Sequence, residues 1–264
     1  MKKFFQVVLA ITVMVLLSSC FEIENVLIVN KDGSAIIEET ALLNGQVKGI
    51  LNSPAAQGAE ASNPDVTALK ELLPDKEKTD ERAKALGEGV TVKSREEIKA
   101  PDGREGVKVV YAVKDIRKLK YQPLESKEKS RSQPVTFGLS GDTLTVNLPE
   151  EPKGPDVNDT QKIPAEQMQA QITALKPMMA GMRIAFKIKM KAGLASTNAS
   201  HAEGDEVTVL DLKFDKLMEK PEGVNALISA SQDDKAGVFD AGEAFKGIDG
   251  VVIESKKSFT IKLK

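Results

Sequence analysis

Cys20 is the only cysteine in a chain of 264 residues, and it stands directly after an uncharged apolar run, in the context Leu17-Ser18-Ser19-Cys20. A thiol so placed can be alkylated or acylated; with no second cysteine it forms no intrachain disulfide. A four-cysteine or mixed thiolate metal site is excluded on the same count. His201 is the sole histidine, so multi-histidine metal centres are excluded and any triad-type mechanism has one imidazole at its disposal. That histidine sits in a turn with Ser200 and Glu203 nearby and no partner nucleophile at a telling spacing. It reads as a surface residue rather than a catalytic base.

Three further patterns are near misses. Gly138-Leu139-Ser140-Gly141-Asp142 has Asp142 where the nucleophile elbow of esterases needs glycine, and residues 143–148 are strand-like where a helix is required. A plain hairpin turn is expected. Residues 30–39 partly mimic a calcium loop through Asp32, Gly33 and Glu39, but the first ligand position falls on Ile28, which has no side-chain oxygen. Asn158-Asp-Thr160 and Asn198-Ala-Ser200 match the glycosylation triplet and read as chance matches. Lys187, Lys189 and Lys191 form a basic row on one strand. Such a row is a candidate contact for an anionic lipid surface, at roughly 1 kcal/mol per charge; its plainer reading is a solvated face that also blunts a sheet edge.

The leader that delivers Cys20 has three parts in order. Met1-Lys2-Lys3 is cationic, Phe4 to Leu17 is almost wholly apolar, and Ser18-Ser19 supplies small residues before the thiol. Cationic start, apolar core and small-residue cleavage site make a secretory signal, and the run is short for a spanning helix, which needs about 20 apolar residues. Leu-Ser-Ser-Cys resembles the lipobox of bacterial lipoproteins. The resemblance implies cleavage between Ser19 and Cys20, a thioether-linked diacylglycerol on Cys20 and an acylated amine, hence attachment to the membrane through an N-terminal lipid anchor. Phe21, where lipoproteins kept at an inner membrane often carry Asp, favours an outer membrane facing the periplasm if the envelope is Gram-negative. Each buried CH₂ contributes about 0.8 kcal/mol and one chain is marginal, so two or three chains on one residue hold firmly.

Residues 1–19 are therefore read as a lipoprotein signal peptide and residues 20–264 as the ectodomain. Losing Lys2 and Lys3 leaves 35 basic against 39 acidic residues. That mildly acidic, interspersed balance excludes nucleic-acid binding as a main role. Trp is absent and aromatics make up 4%, which disfavours stacking on sugars or bases. No cofactor or metal is expected.

The positions that carry these residues lie on hairpins. Residues 22–30 and 35–43 alternate around Asp32-Gly33, 90–99 and 106–114 around Asp102-Gly103, and 135–139 and 143–148 around Gly141-Asp142. Such dipeptides between β-prone runs mark hairpins. Residues 182–191 alternate strictly, with Met182, Ile184, Phe186, Ile188 and Met190 on one face. Residues 194–200 and 206–214 are expected to make a fourth hairpin, and 251–254 and 258–264 close the chain as strands. Helices are expected over 65–86 (interrupted at Pro74 and stopped by Gly87 and Gly89), 115–120, 165–180, 215–231 (broken near Pro221) and 241–245, and loops over 44–63 and 125–131. Pro149 to Pro164, with four prolines, reads as a linker that allows two lobes, 20–148 and 165–264. The expected class is α+β, with antiparallel β-hairpins interspersed with helices.

Gly193-Leu-Ala-Ser-Thr-Asn198-Ala followed by Gly204-Asp-Glu-Val207-Thr-Val is similar to a hairpin of the mycobacterial LppM-type envelope lipoproteins, with Val209 where that pattern has Trp. The resemblance implies a non-enzymatic α+β domain that binds lipid. The expectation from the whole sequence is a membrane-anchored cell-envelope protein of non-catalytic binding or scaffolding type, with an envelope protein or lipid as partner. A carrier of lipid or a small apolar ligand is the alternative, and an enzyme comes third.

Overall fold

The computed structural model describes residues 21–51, 73–122, 133–149, 181–232 and 245–264, with positions 172, 176, 239 and 242. β1 (Phe21–Val29) and β2 (Ala35–Leu43) pair as a hairpin. Its turn is tied by the Asp32 carboxylate, which accepts from the Ser34 amide at 2.9 Å and the Ser34 hydroxyl at 2.7 Å. Those bonds hold the Asp32 carboxyl below its ordinary value, and Gly33 takes φ +84°, the left-handed region glycine enters freely. The calcium-like spacing is thus a self-bonded turn.

α1 (Gly45–Leu51) stands where composition predicts the start of a loop. Asn44 overrides the composition: its side chain accepts from the Val47 amide at 2.8 Å, satisfying a free helix donor. Val47 and Leu51 fall on one face and Leu51 is buried. α2 (Lys76–Leu86) is capped by Asp75 and closed at Gly87, and buries Thr79, Ala83 and Leu86. β3 (Val90–Lys99) and β4 (Glu105–Val113) form the second hairpin. A 3-10 turn at Ile116–Lys118 leads to β5 (Lys120–Tyr121), β6 (Val135–Ser140) and β7 (Thr143–Asn147). β8 (Arg183–Met190), β9 (Leu194–Thr197), β10 (Ala202–Glu203) and β11 (Glu206–Lys213) follow. α3 (Phe214–Leu217) and α4 (Pro221–Gln232) then break at Pro221 as the sequence suggests, before β12 (Val251–Ile253) and β13 (Ser258–Leu263). The helix expected over 165–180 is described only at Ile172 and Lys176, both helical. The 125–131 run, residues 65–72 and 150–164 lie outside the described residues, as does most of 241–245.

The strands make two sheets, one ordered β10-β11-β8-β1-β2-β4-β3 with β12 beside β11, the other β5-β6-β7-β13-β9. The class is α+β, mostly sheet with few helices. Three expectations change. β1 pairs β8 in parallel, Glu22 opposite Arg183 through Val29 opposite Met190, so the larger sheet is mixed rather than purely antiparallel. The fourth hairpin does not form: β9 pairs β13 in the other sheet, while β11 takes β8 as its neighbour. The reason is burial. β11 can lay Val207, Leu210 and Leu212 beside Ile188, Phe186 and Ile184, whereas β9 is short and half exposed and has little apolar surface to match. Finally, both sheets draw strands from before and after the 149–164 segment, so residues 20–148 and 165–264 interleave instead of forming two lobes.

One core joins the sheets. Leu27, Ile37, Tyr111 and Phe186 of the larger sheet cluster with Tyr121, Val146, Phe259 and Ile261 of the smaller, and the rings of Tyr121 and Phe186 lie 4.8 Å apart. These side chains are 0–1% exposed, so the inner faces of the two sheets meet in a shared apolar core, as close-packed protein interiors do.

Candidate functional site

Ser19 and Cys20 lie outside the described residues, but the residue after them does not. Phe21 already belongs to β1, opposite Leu43 of β2, and Glu22 is opposite Arg183 of β8. A paired strand in the middle of the larger sheet therefore begins one peptide bond after the thiol. Phe21 stands at the pole of the fold where β1 and β8 start and β2, β3 and β11 end. Around that pole stand α1, α3 and the turn of the β3–β4 hairpin at residues 100–104. No helix among the described residues is long and apolar enough to cross a membrane.

A lattice of ion pairs runs across the outer face from this pole. Arg183 holds Asp211 through two nitrogens at 2.9 and 3.1 Å and reaches Glu22 at 3.0 Å. Arg104 takes the other Glu22 oxygen at 2.7 Å. Lys187 bridges Glu24 at 3.3 Å and Glu206 at 3.2 Å. Hydrogen bonding to Asp211 holds the Arg183 guanidinium firmly protonated against the opposing effect of burial. For Lys187 burial pulls the ammonium down, but Glu206 and Glu24 outweigh it and hold it above its ordinary value. The lysine row of the sequence thus divides. Lys187 is committed to two carboxylates, Lys189 is half-buried opposite Ile28 and Glu206, and Lys191 is exposed at the far end, where its amide bonds the Val29 carbonyl.

Two polar clusters escaped sequence reasoning because their members are far apart in the chain. On the inner face, Glu39 accepts from Arg82 at 2.9 Å and from the Tyr121 hydroxyl at 3.3 Å, and Arg82 also reaches the Gln122 carbonyl. The guanidinium lies 5.7 Å from the Tyr121 ring centre. This cluster pins α2 to β2 and β5. Glu39 breaking the inward apolar run of β2 is the one signal that could have marked it. In the second cluster the fully buried Glu254 accepts from the Ser200 amide and hydroxyl and from the Lys256 amide. Ser200 and Asn198, which also accepts from the Thr260 amide, are therefore loop fasteners. His201 is exposed beside them, and its carbonyl accepts from Thr208. Ser140 is at the exposed end of β6, opposite Thr143 in the β6–β7 hairpin, so the esterase-like pentapeptide is a turn.

Tyr121 gives a pH dependence. Burial, then the charge of Glu39, push its phenol well above the ordinary value of 10.0. Above that value the unfolded chain loses a proton that the folded chain keeps, so stability falls as pH rises. The slope from this group approaches about 1.4 kcal/mol per pH unit only once pH is well above that value, so the loss between pH 9 and 11 totals about 1.4 kcal/mol. Urea midpoints measured from pH 9 to 11 check it, with Tyr121→Phe expected to flatten the decline.

No protein-family model matches the chain, and no curated protein matches it. Among solved structures it is similar to the folded domain of the LppM protein of Mycobacterium tuberculosis, determined by NMR, with a TM-score of 0.31 and 10% identity over 74% of this chain and 84% of that one.

Proposed function

We propose that this protein is a cell-envelope lipoprotein, held to a bilayer by fatty chains on Cys20, whose α+β body acts as a binding or scaffolding module without catalysing a reaction. The observation that carries the proposal is the order of two features. The apolar leader ends in Leu17-Ser18-Ser19-Cys20, and the very next residue, Phe21, is paired in β1 opposite Leu43. Thioether formation uses the Cys20 side chain, and cutting before Cys20 then removes the leader and frees the Cys20 amine for acylation.

The non-catalytic part rests on how the charges are spent. Glu39 with Arg82, Asp211 with Arg183 and Glu254 with Ser200 are bonded to one another rather than convergent on a cleft. The best-formed concavities among the described residues are shallow and charged, one of about 420 Å³ along α2 and one of about 350 Å³ beside Arg95 and Glu97. Small-molecule sites are enclosed and mostly apolar. The shared apolar core between the sheets argues in the same direction against a lipid-carrying cavity there.

Metabolic labelling with radioactive palmitate tests the anchor. Label is expected in the wild-type chain and absent from Cys20→Ser, which leaves the membrane fraction on cell lysis. Equal incorporation into both forms sinks the assignment.

A further inference from the structure

We infer that the pole carrying the start of β1, α1 and the 100–104 turn rests directly on the bilayer, and that the opposite pole, with the β1–β2 turn and Lys191, is held away from it as the partner-facing end. The inference rests on the lipid anchor proposed for Cys20 and adds an orientation to it. Its geometric ground is the missing tether. Phe21 is paired in the sheet, opposite Leu43, from the first residue after Cys20, so no flexible peptide linker separates the anchor from the sheet.

The magnitudes decide the matter. A strand rises about 3.3 Å per residue, so the nine residues of β1 set the β1–β2 turn roughly 30 Å from the residue beside the lipid. Lys191 lies at that same far end, because β8 runs parallel to β1 and the Lys191 amide bonds the Val29 carbonyl. Bringing it to the anchoring bilayer with the body upright would take about eight residues of extended chain between Cys20 and β1. Without them the body would have to tip flat onto its outer face, where Lys187 is already committed to Glu24 and Glu206 and Lys189 is half-buried, so that face offers the headgroups little free cation.

The chemistry of the near pole suits a lipid surface. Four of its described carboxylates are met by cations, while Asp215 of α3 is exposed. Glu105 lies 2.6 Å from Lys48 and 3.3 Å from Lys99, Glu22 is shared by Arg104 and Arg183, Asp102 lies 2.7 Å from Arg104, and Asp211 is held by Arg183. Paired carboxylates approach anionic headgroups with less repulsion than bare ones, and the exposed ammonium groups of Lys99 and Lys213 stand beside these carboxylates where headgroup phosphates can share them.

The test uses the full lipidated protein in vesicles of phosphatidylcholine and phosphatidylglycerol containing a nitroxide-headgroup lipid. Once Cys20 is a thioether, an introduced cysteine is the only reactive thiol, so a fluorophore can be placed at Pro101→Cys, Lys31→Cys or Lys191→Cys. Most of the emission is expected to be lost at 101 and retained at 31 and 191. Inserting ten Gly/Ser residues between Cys20 and Phe21, a span of about 18 Å, is expected to erase the contrast while flotation with the vesicles persists. Flotation with equal quenching at 101 and 191, or a contrast that survives the linker, overturns the orientation alone. A parent protein that fails to float and takes maleimide on Cys20 overturns the anchor and the orientation together.

Discussion

Gly106→Ala is expected to lower stability by about 3–4 kcal/mol, at the upper end for a single substitution. Gly106 lies in β4 between Leu42 of β2 and Ile98 of β3. A Cβ there would be driven into the Ala41 carbonyl oxygen and against Leu42 Cα, both backbone. A flexible side chain could rotate out of the way, but a strand paired on both sides cannot, so the β2–β4 ladder must spread. The effect should appear as a fall in the urea midpoint at unchanged slope. The natural control is the other strand glycine. Gly138 in β6 would meet only the Thr145 Cβ at 3.7 Å, an ordinary contact. There alanine gains the entropy that glycine loses on folding, so Gly138→Ala should be neutral or stabilising by up to about 1 kcal/mol. If the two substitutions have equal effects, the close approach at Gly106 is not what the strand ladder depends on.

This contrast also marks the limit of reading the chain alone. Both glycines stand in runs that read as strands, and both runs are strands, because Asp-Gly and Gly-Asp turns between alternating residues are local signals. The two hairpins at Asp32-Gly33 and Asp102-Gly103 and the strand at 183–190 were legible for that reason, as were the stop at Gly87 and the break at Pro221, whereas the Asp75 cap that starts α2 was not read. Nothing local tells Gly106 from Gly138, because the difference is the path of β2. The same holds for the pairing of β1 with β8, separated by more than 150 residues in register, and for the escape of β9 to the second sheet. Strand partners far apart in sequence are chosen by the burial of whole faces, which a window of neighbouring residues does not contain. Cys20 stands out in the sequence because its signal is short and linear, and it lies outside the described residues. The lysine row is visible as spacing, whereas its division into a committed Lys187 and a distant Lys191 depends on Glu24 and Glu206 arriving from β1 and β11.

Glu254→Ala is expected to cost about 3 kcal/mol, although the residue follows the three-residue strand β12 and shows no pattern in sequence. Its side chain is 0% exposed and answers three donors, the Ser200 amide, the Ser200 hydroxyl at 2.8 Å and the Lys256 amide at 3.0 Å. Its own amide bonds the carbonyl of Val209, the residue at the register shift of β11. The carboxylate thus fastens the 198–200 loop, which leaves β9 of the smaller sheet, to β11 and β12 of the larger. Hydrogen bonds to a charged acceptor contribute about 1.5–3 kcal/mol each, and removing the acceptor strands its donors in a partly buried site. Water reaching the exposed Ser200 recovers some of that loss, which is why the expected total is near 3 rather than the sum of three such bonds. Glu254→Gln keeps one carbonyl acceptor of the same reach but forfeits the charge, so it should lose about half as much. Urea unfolding of the two variants gives the energies. Amide exchange at Ser200 locates them, since it should quicken in Glu254→Ala while the amides of β1 and β2 slow or quicken only with global stability. Exchange at Ser200 that follows the global change and nothing more would mean that the loop is held by Asn198 and Thr260 instead, and that the buried carboxylate is merely accommodated between the sheets.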